Sequence, residues 1–244
     1  MDVRTSVIER RLHKIKKIIA VASGKGGVGK SLVASSLALN LAEKDYKVGL
    51  LDLDLYGPSS HIILGVNDLN FPEEEKGIVP PKIHNINFMS IVYFSEDKPS
   101  PFRGVDITNI IIELLAITQW KELDYLIIDM PPGIGDEVLD VIKYVKKAEF
   151  LVVTTPSKVA MGAVGKLLKI LTELKLPIIG VLENMKMDES VFIKNEIKKM
   201  KISYIGSISF DKNLEDAIGN CKLLLKSNFM KELDDCIKKN NIMI

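Results

Sequence analysis

Cysteine is scarce in this chain of 244 residues, in which only Cys221 and Cys236 occur. There is no C-x-x-C pair, and two cysteines do not make a disulfide framework. The three histidines, His13, His61 and His84, are dispersed and show no ligand spacing such as H-x-x-H. These shortages exclude a disulfide-stapled scaffold and argue against a histidine metal site.

An excess of one charge is also missing, because 33 basic residues face 32 acidic ones and the formal net charge is +1. A chain so balanced creates no global field that attracts nucleic acid or an anionic membrane. No apolar run approaches the roughly 18 residues of a membrane span, and no signal-peptide core follows the first residues. We therefore expect a soluble, cytoplasmic protein with no membrane span and no nucleic-acid partner.

Hydrophobic residues make up 47% of the chain, which is enough to bury a large core. Short apolar runs alternate with helical patterns, and this predicts an α/β fold with a doubly wound, mostly parallel sheet and helices on both faces. We expect a single domain over residues 1–244. It should begin with an amphipathic lead-in helix at 1–16 and close with a C-terminal helix at 225–240.

A glycine-rich stretch between the first apolar run and a helical pattern predicts the nucleotide site. Residues 23–31 read S-G-K-G-G-V-G-K-S, which matches the phosphate loop G-x-x-x-x-G-K-[ST] in its strand, loop and helix context. Gly24 and Gly29 relieve the steric cost of unusual backbone angles, so that backbone N–H groups turn toward a polyphosphate. The predicted nucleotide-binding residues of the loop are Gly24, Lys25, Gly26, Gly27, Val28, Gly29, Lys30, Ser31 and Leu32.

The loop carries two lysines, and we expect them to act differently. Lys30 can place its ammonium on the β- and γ-phosphates, and the Ser31 hydroxyl is a hard oxygen ligand for Mg²⁺. Lys25 is not needed to hold phosphate within one subunit. It is either a solvated loop lysine or a group that reaches a nucleotide held by a second copy of the chain, as an arginine finger does in trans.

Carboxylates end two of the predicted strands. A strand at 47–54 closes with Asp52 and Asp54, which lie on the same side if the strand continues, and a buried strand closes with Asp129 in a Walker B arrangement. Asp129 is expected to fix the Mg²⁺ shell. Of Asp52 and Asp54, one can help hold Mg²⁺ through water and the other can orient the attacking water; alternatively, both cap the turn before Gly57. The predicted metal ligands are Ser31, Asp52, Asp54 and Asp129.

Two further segments follow strands. The loop at 131–135 is a candidate switch that responds to loss of the γ-phosphate, and Asp136 is expected to cap the next helix. Asn184 follows a strand at 177–182, where its carboxamide can match the N6/N7 edge of adenine or cap a helix. The guanine-reading N-K-x-D pattern is off by one residue, which favours ATP over GTP.

These motifs resemble one family over nearly the whole chain. The phosphate loop resembles the deviant Walker A motif of MinD/ParA-like ATPases, and it is joined by L-L-D-L-D-L-Y-G-P-S, D-Y-L-I-I-D-M-P-P-G-I-G-D, V-V-T-T-P and G-V-L-E-N-M. Together they resemble the Mrp/ApbC family, whose members are taken to be dimeric, ATP-dependent iron-sulfur cluster carriers with Mg-ATP at the subunit interface. The resemblance implies a homodimer formed on ATP binding, with Lys25, Lys30 and Asp54 as catalytic residues. It also implies Lys25 as the cross-subunit lysine, Lys30 and Ser31 as phosphate and Mg²⁺ ligands, Asp54 as the water-orienting acid, Asp129 as Walker B and Asn184 as adenine reader.

One departure from the family concerns metal chemistry. The carriers have a C-P-x-C pair shortly after E-N-M, whose thiolates ligate the cluster, whereas residues 185–199 of this chain contain no cysteine. The favoured hypothesis is an ATPase of iron-sulfur or metalloprotein assembly whose client, or a cysteine-bearing paralogue, supplies the ligands. The alternatives are a MinD/ParA-like switch that recruits or positions a partner, and an ATP-binding interaction module that does not hydrolyse ATP.

Overall fold

The computed structural model describes residues 3–95, 104–188 and 191–243. Strands and helices alternate along most of this length. The strands are β1 (Ile15–Ser23), β2 (Val48–Asp52), β3 (Lys82–Ile83), β4 (Ile86–Ser90), β5 (Leu123–Asp129), β6 (Ala148–Thr154), β7 (Ile178–Lys186) and β8 (Tyr204–Ser209). The helices are α1 (Val3–Leu12), α2 (Lys30–Ala42), α3 (Ser60–Ile63), α4 (Val92–Ser95), α5 (Gly104–Ile117), α6 (Asp136–Tyr144), α7 (Lys158–Glu173), α8 (Phe192–Lys199), α9 (Cys221–Lys226) and α10 (Asn228–Lys239).

The strands form one sheet in the order β3-β4-β2-β5-β1-β6-β7-β8. All neighbouring pairs are parallel except β3 with β4 at the edge. This confirms the predicted doubly wound α/β class, in which ligands bind beyond the carboxyl ends of the strands. Within the described ranges no helix is long and apolar enough to cross a membrane.

The register at the centre of the sheet decides which polar groups meet. On β5, Asp129 lies opposite Asp52 of β2 and opposite Val21 of β1. Both aspartates are completely buried, because the central strands are covered on both faces, as parallel sheets require. Two carboxylates are therefore brought together inside the protein, immediately before the loops that form the site.

Helix α2 is buried over almost its whole length from Val33 to Ala42. Its small residues, such as Ala34 and Ala38, let the backbone approach β2 and β5 closely, and Leu37 and Leu41 fill the space between. The helix is thus anchored in the core, and its first residues are held at a fixed position above the sheet edge.

Several predicted boundaries were wrong. The lead-in helix ends at Leu12 rather than 16, because Ile15 already pairs with Leu123 in the sheet. The C-terminal helix is two helices, and the second begins where the Ser227 hydroxyl accepts a hydrogen bond from the backbone N–H of Met230. Helix α6 begins at Asp136, but the residue before it is Gly135 and no side chain caps it.

Candidate functional site

The phosphate loop lies between the end of β1 at Ser23 and the start of α2 at Lys30. Gly27 and Gly29 adopt left-handed backbone angles, with φ of 75° and 81°, which other residues adopt only at a cost. The Ser23 hydroxyl donates to the Lys25 carbonyl at 3.0 Å and holds the beginning of the loop. The backbone geometry predicted for Gly29 is confirmed.

Gly24 is required for a different reason from the one predicted. Its φ is not left-handed; instead the loop approaches the backbone of α7 so closely that a Cβ on Gly24 would lie 2.5 Å from the carbonyl carbon of Ala163 and 2.6 Å from the nitrogen of Val164. A Cβ at that distance from rigid backbone displaces the loop. The glycine therefore sets the packing of the loop on a helix distant in sequence.

Lys30 is buried, and its ammonium is compensated by a carboxylate. Its Nζ lies 2.5 Å from Oδ1 of Asp129 and 3.3 Å from Oγ of Ser31. The second oxygen of Asp129 accepts from the Ser60 hydroxyl at 3.4 Å. The lysine of the phosphate loop and the carboxylate at the end of β5 therefore meet in the folded chain, and the charge of Lys30 is held close to the loop.

Asp54 lies beside this pair, in the loop that follows β2. Its Oδ2 is 3.9 Å from Nζ of Lys30, and its Oδ1 accepts from the Gly57 backbone N–H at 3.2 Å. Partial burial raises the pKa of Asp54, and the neighbouring Lys30 opposes that rise. A half-buried carboxylate of this kind can accept a hydrogen bond from a water molecule at the edge of the cavity.

Asp52 serves the loop rather than the cavity. Strand β2 ends at Asp52, so the expected alternation with Asp54 does not apply, and the two oxygens of Asp52 accept from the backbone N–H groups of Asp54 at 3.0 Å and Ser60 at 3.2 Å. Burial first, and then repulsion from Asp129, raises the pKa of Asp52 to about 7. The alternative interpretation, turn capping, holds for Asp52 and, through Gly57, for Asp54.

A cavity of about 360 Å³ opens above these groups. It brings together most of the predicted loop with Asp54, with Pro132, and with two residues that sequence reasoning missed, Ser59 and Ile63. Pro132 belongs to the predicted switch loop, which is tied to the phosphate loop because the Gly133 N–H donates to the Ser23 carbonyl at 3.0 Å. The predicted residues lining the cavity are Lys25, Gly26, Gly27, Gly29, Lys30, Ser31, Leu32 and Asp54.

Asn184 lies beneath the phosphate loop and not beyond the edge of the sheet. Strand β7 continues to Lys186, so Asn184 is within the strand, and its Nδ2 donates to the Val28 carbonyl at 3.0 Å. A Cβ on Gly29 would be 2.3 Å from that nitrogen. The contact supports the underside of the loop, and adenine recognition by Asn184 stays a prediction.

Lys25 lines the cavity and is partly exposed. Among the described residues, no carboxylate oxygen lies within 4.0 Å of its ammonium. Both interpretations of this lysine, solvated or reaching a second copy, are compatible with its position.

Both cysteines are buried and structural. The thiol of Cys221 donates to the Leu64 carbonyl at 3.4 Å, and burial raises the pKa of that thiol to about 11. Burial also raises the pKa of the Cys236 thiol. Within the part of the chain that the structure describes, no three His, Cys, Asp or Glu side chains are grouped to hold a metal ion. These residues do not fit an iron-sulfur cluster, which needs accessible thiolates.

A glycine loop between a buried strand and a buried helix, with its lysine against the carboxylate of a second strand, defines a P-loop NTPase. The family model described as "ParA: NUBPL iron-transfer P-loop NTPase" matches residues 14–239. The chain belongs to this family of NUBPL iron-transfer P-loop NTPases, and the resemblance to the iron-sulfur carrier ATPases inferred from its motifs is confirmed.

Curated relatives carry names from iron-sulfur biology. An iron-sulfur cluster carrier protein of Pseudomonas fragi is 41% identical over 177 residues, which cover 71% of this chain and 62% of the relative. A carrier protein of the same name from Rickettsia felis is 39% identical over 84% of this chain and 65% of its own length. The chain thus spans less than two thirds of these bacterial relatives. A cytosolic Fe-S cluster assembly factor Nubp2 homolog of Anopheles gambiae is 37% identical over 92% of this chain and 93% of its own length.

Solved structures agree with the fold. A nucleotide-binding protein from Archaeoglobus fulgidus in complex with ADP superposes with a TM-score of 0.79 at 31% identity, covering 93% of this chain and 96% of the other. The septum site-determining protein MinD of Pyrococcus horikoshii, complexed with Mg-ADP, superposes with a TM-score of 0.69 at 19% identity, covering 91% and 95%. The MinD similarity concerns the fold alone.

Proposed function

We propose that this chain binds and hydrolyses Mg-ATP in the phosphate-loop cavity as a homodimer, and that it acts in the cytosol in iron-sulfur cluster or metalloprotein assembly. The observation that carries the ATPase part is the meeting of Lys30 with Asp54 and Asp129 beneath the glycine loop. The family membership and the names of the relatives support the assembly part.

The residues present fit Mg²⁺. Ser31, Asp54 and Asp129 offer the oxygen donors that Mg²⁺ prefers, and this ion is normally held by one or two carboxylates with phosphates and water rather than by a protein cage. When bound, Mg²⁺ neutralises developing charge on the phosphates. Lys30 then contacts the phosphates, and Asp54 orients the attacking water. Asp52, whose oxygens are both engaged, positions the loop that carries Asp54.

Lys25 is proposed to contact the nucleotide bound by the other copy of the chain. Its position at the cavity, its partial exposure and the lack of a carboxylate neighbour among the described residues support this role. Two ammonium groups repel each other unless a polyanion neutralises both, so a triphosphate between two copies stabilises their association. Dimerisation is therefore expected to depend on ATP.

Iron-sulfur clusters are proposed to be cargo held by other proteins. This chain lacks accessible thiolates in its described part, and Cys221 and Cys236 are buried. A client iron-sulfur protein or a cysteine-bearing paralogue is expected to supply the ligands, while this chain supplies an ATP-dependent change of conformation. The switch loop, tied to the phosphate loop through Gly133, is the element that can transmit that change.

The test compares three lysine variants in nucleotide binding, ATPase turnover and ATP-dependent dimerisation by sedimentation. Lys30→Ala is expected to abolish nucleotide binding, whereas Lys25→Ala retains binding but loses dimerisation and turnover. Lys222→Ala, an exposed lysine on α9, is the matched control and should behave as the wild type. Hydrolysis by Lys25→Ala at the wild-type rate would overturn the role across the interface.

A second candidate, a MinD/ParA-like switch that positions a partner without metal chemistry, is favoured by the burial of both thiols. The two functions are separated by affinity capture with an ATP-trapped Asp54→Ala variant under anaerobic conditions. Capture of an iron-sulfur protein or a cysteine-bearing paralogue supports assembly. Capture of a metal-free partner alone, with no cluster retained after reconstitution, supports the switch.

A further inference from the structure

A second cavity, of about 740 Å³, lies at the amino ends of the central strands. Its lining includes Lys14, which precedes β1, Lys47, which precedes β2, and Glu122, which precedes β5. Since β1 has nine residues and a parallel strand rises about 3.3 Å per residue, this cavity is roughly 25–30 Å from the phosphate loop. We call it the basic cleft.

Among the residues that the structure describes, five cations line the basic cleft, and Glu122 is the single acid in its lining. Part of this charge is compensated. Lys14 is 3.3 Å from Glu122, and Lys121 is 3.7 Å from Glu75, both in exposed pairs. Exposed pairs of this kind are weak and exchange readily with other ions. The cations are Arg10, Arg11, Lys14, Lys47 and Lys121.

For the remaining cations, the described part of the chain provides no such acidic partner. Arg11 donates from Nε to the Ala116 carbonyl at 3.0 Å and from its terminal nitrogen to the Lys76 carbonyl at 2.7 Å, so its guanidinium is fixed in place but not neutralised. In the described ranges, no carboxylate is within ion-pair distance of Arg10 or of the Lys47 ammonium.

A further acid beside the cleft, Asp124, already has hydrogen-bond partners. Its Oδ2 accepts from the Lys47 backbone N–H at 2.8 Å and its Oδ1 is 2.7 Å from the Lys16 ammonium. The hydrogen bond from Lys16 and the backbone bond from Lys47 hold the pKa of Asp124 below its usual range. The charge of the Lys47 side chain lowers that pKa further, so Asp124 offsets part of the Lys47 charge, although no ion pair joins the two side chains among the described residues.

Two residues that line the cleft carry a buried donor that has no acceptor among the described protein groups. The donors are Nε1 of Trp120, a residue only 1% exposed, and the buried Nε2 of Gln119. The Trp120 ring is held against Gly49, where a Cβ would be 2.9 Å from it. Buried donors without acceptors are costly and rare in folded proteins. The groups left unpaired in this cleft are thus cations and hydrogen-bond donors.

We propose that the basic cleft binds a small organic oxyanion, a phosphate or a carboxylate compound. Arg10 and Lys47 supply the charge, while Gln119 and Trp120 supply neutral donors beside an apolar wall. The guanidinium of Arg11 is fixed by hydrogen bonds to two carbonyls, and its remaining N–H groups can donate to the oxygens of a phosphate or carboxylate. A small ligand is favoured over a macromolecular polyanion because two of the donors are buried and because the chain as a whole carries a net charge of only +1.

Trp120 is the only tryptophan of the chain, so its fluorescence reports on this cleft. We would titrate the full chain, saturated with Mg-ADP to occupy the phosphate loop, with glycerol 3-phosphate and with succinate, against sodium chloride at equal ionic strength. A saturable change is expected with at least one anion, and the stronger response identifies phosphate or carboxylate. The Arg10→Glu/Lys47→Glu variant should weaken binding by about tenfold or more.

The matched control is Lys222→Glu/Lys226→Glu on α9, with the same charge change on exposed residues remote in sequence; it should bind as the wild type. If the charge-reversed variant Arg10→Glu/Lys47→Glu does not fold, the neutral variant Arg10→Gln/Lys47→Gln is used in its place. No saturable response to either anion overturns the proposal, as does a response that survives both cleft variants. A decapeptide of glutamate is titrated in the same way as a model of an acidic protein partner. A saturable response to this peptide and to neither small anion also overturns the proposal, in favour of a protein partner.

Discussion

The central strands of the parallel sheet end at two sides of the protein, a carboxyl edge at the phosphate loop and an amino edge at the basic cleft. The charged residues at these two edges are arranged in opposite ways. At the carboxyl edge, Lys30 and Asp129 are buried and joined by a short contact, and the buried Asp52 accepts hydrogen bonds from two backbone N–H groups. At the amino edge, the cations of the basic cleft are mostly exposed, and the pair of Lys14 with Glu122 is exposed on both sides. The same sheet thus has one edge of compensated buried charge and one of loosely compensated surface charge.

The difference has a physical consequence: the buried charges are held in fixed positions, whereas the exposed cations are available to bind anions. Buried charges are expensive to desolvate, so each depends on its partners, and the network holds Lys30 in position before a nucleotide arrives. Exposed cations cost little to keep, are screened by salt and can change partners. Variants at the carboxyl edge should therefore have large effects on stability, and variants at the amino edge should mainly affect anion binding.

The largest effect is expected from Lys30→Met, which leaves Asp129 buried without its cation. Breaking a buried pair costs about 3–5 kcal/mol of unfolding free energy. The double variant Lys30→Met/Asp129→Asn removes both charges, and the two changes should be non-additive by about 1–3 kcal/mol. Urea unfolding of the two single variants and the double variant gives this coupling. If the losses of unfolding free energy in the two single variants simply add up to that of the double variant, Lys30 and Asp129 are not coupled, contrary to what their geometry indicates.

A pH-dependent effect is expected from Asp52→Asn. The pKa of Asp52 is raised from 3.8 to about 7, so between these values the unfolded chain has lost a proton that the folded chain retains. The contribution of Asp52 to the free energy of unfolding therefore falls as pH rises. Asparagine does not titrate, so the Asp52→Asn variant lacks this pH-dependent contribution to the free energy of unfolding. The stability advantage of the wild type over Asp52→Asn should therefore shrink from about pH 4 to about pH 7. An advantage that stays constant in urea titrations across this range would contradict the assignment.

The smallest effect on stability is expected from Glu122→Gln at the amino edge. Loss of an exposed pair costs about 0–1 kcal/mol, but Lys14 becomes free and the basic cleft more positive, so glycerol 3-phosphate should bind more tightly at low salt. Glu173→Gln, which breaks the exposed pair with Lys169 on α7, is the matched control and should leave the Trp120 titration unchanged. Equal titration curves for both variants would remove the electrostatic link between Glu122 and the cleft.

Much of the fold was predictable because its signals are local. The apolar runs of β1 and β5, the glycine spacing before α2 and the carboxylate of Asp129 are each contained within a few consecutive residues, and the structure has them where they were expected. Strand ends were less predictable. Strand β7 runs on through Asn184 to Lys186 because Lys186 pairs with Ser209 of β8, which no local pattern reveals.

The sequence by itself determined the class of fold and the position of the phosphate loop, because these depend on short-range pattern and backbone freedom. Tertiary structure alone decided that Gly24 faces the backbone of α7, that Asn184 supports the loop and that Ser60 donates to Asp129. It also decided that residues as far apart as Arg10 and Glu122 line one basic cleft. Such contacts follow from the packing and register of elements distant in sequence, and the residues involved carry no motif that announces them.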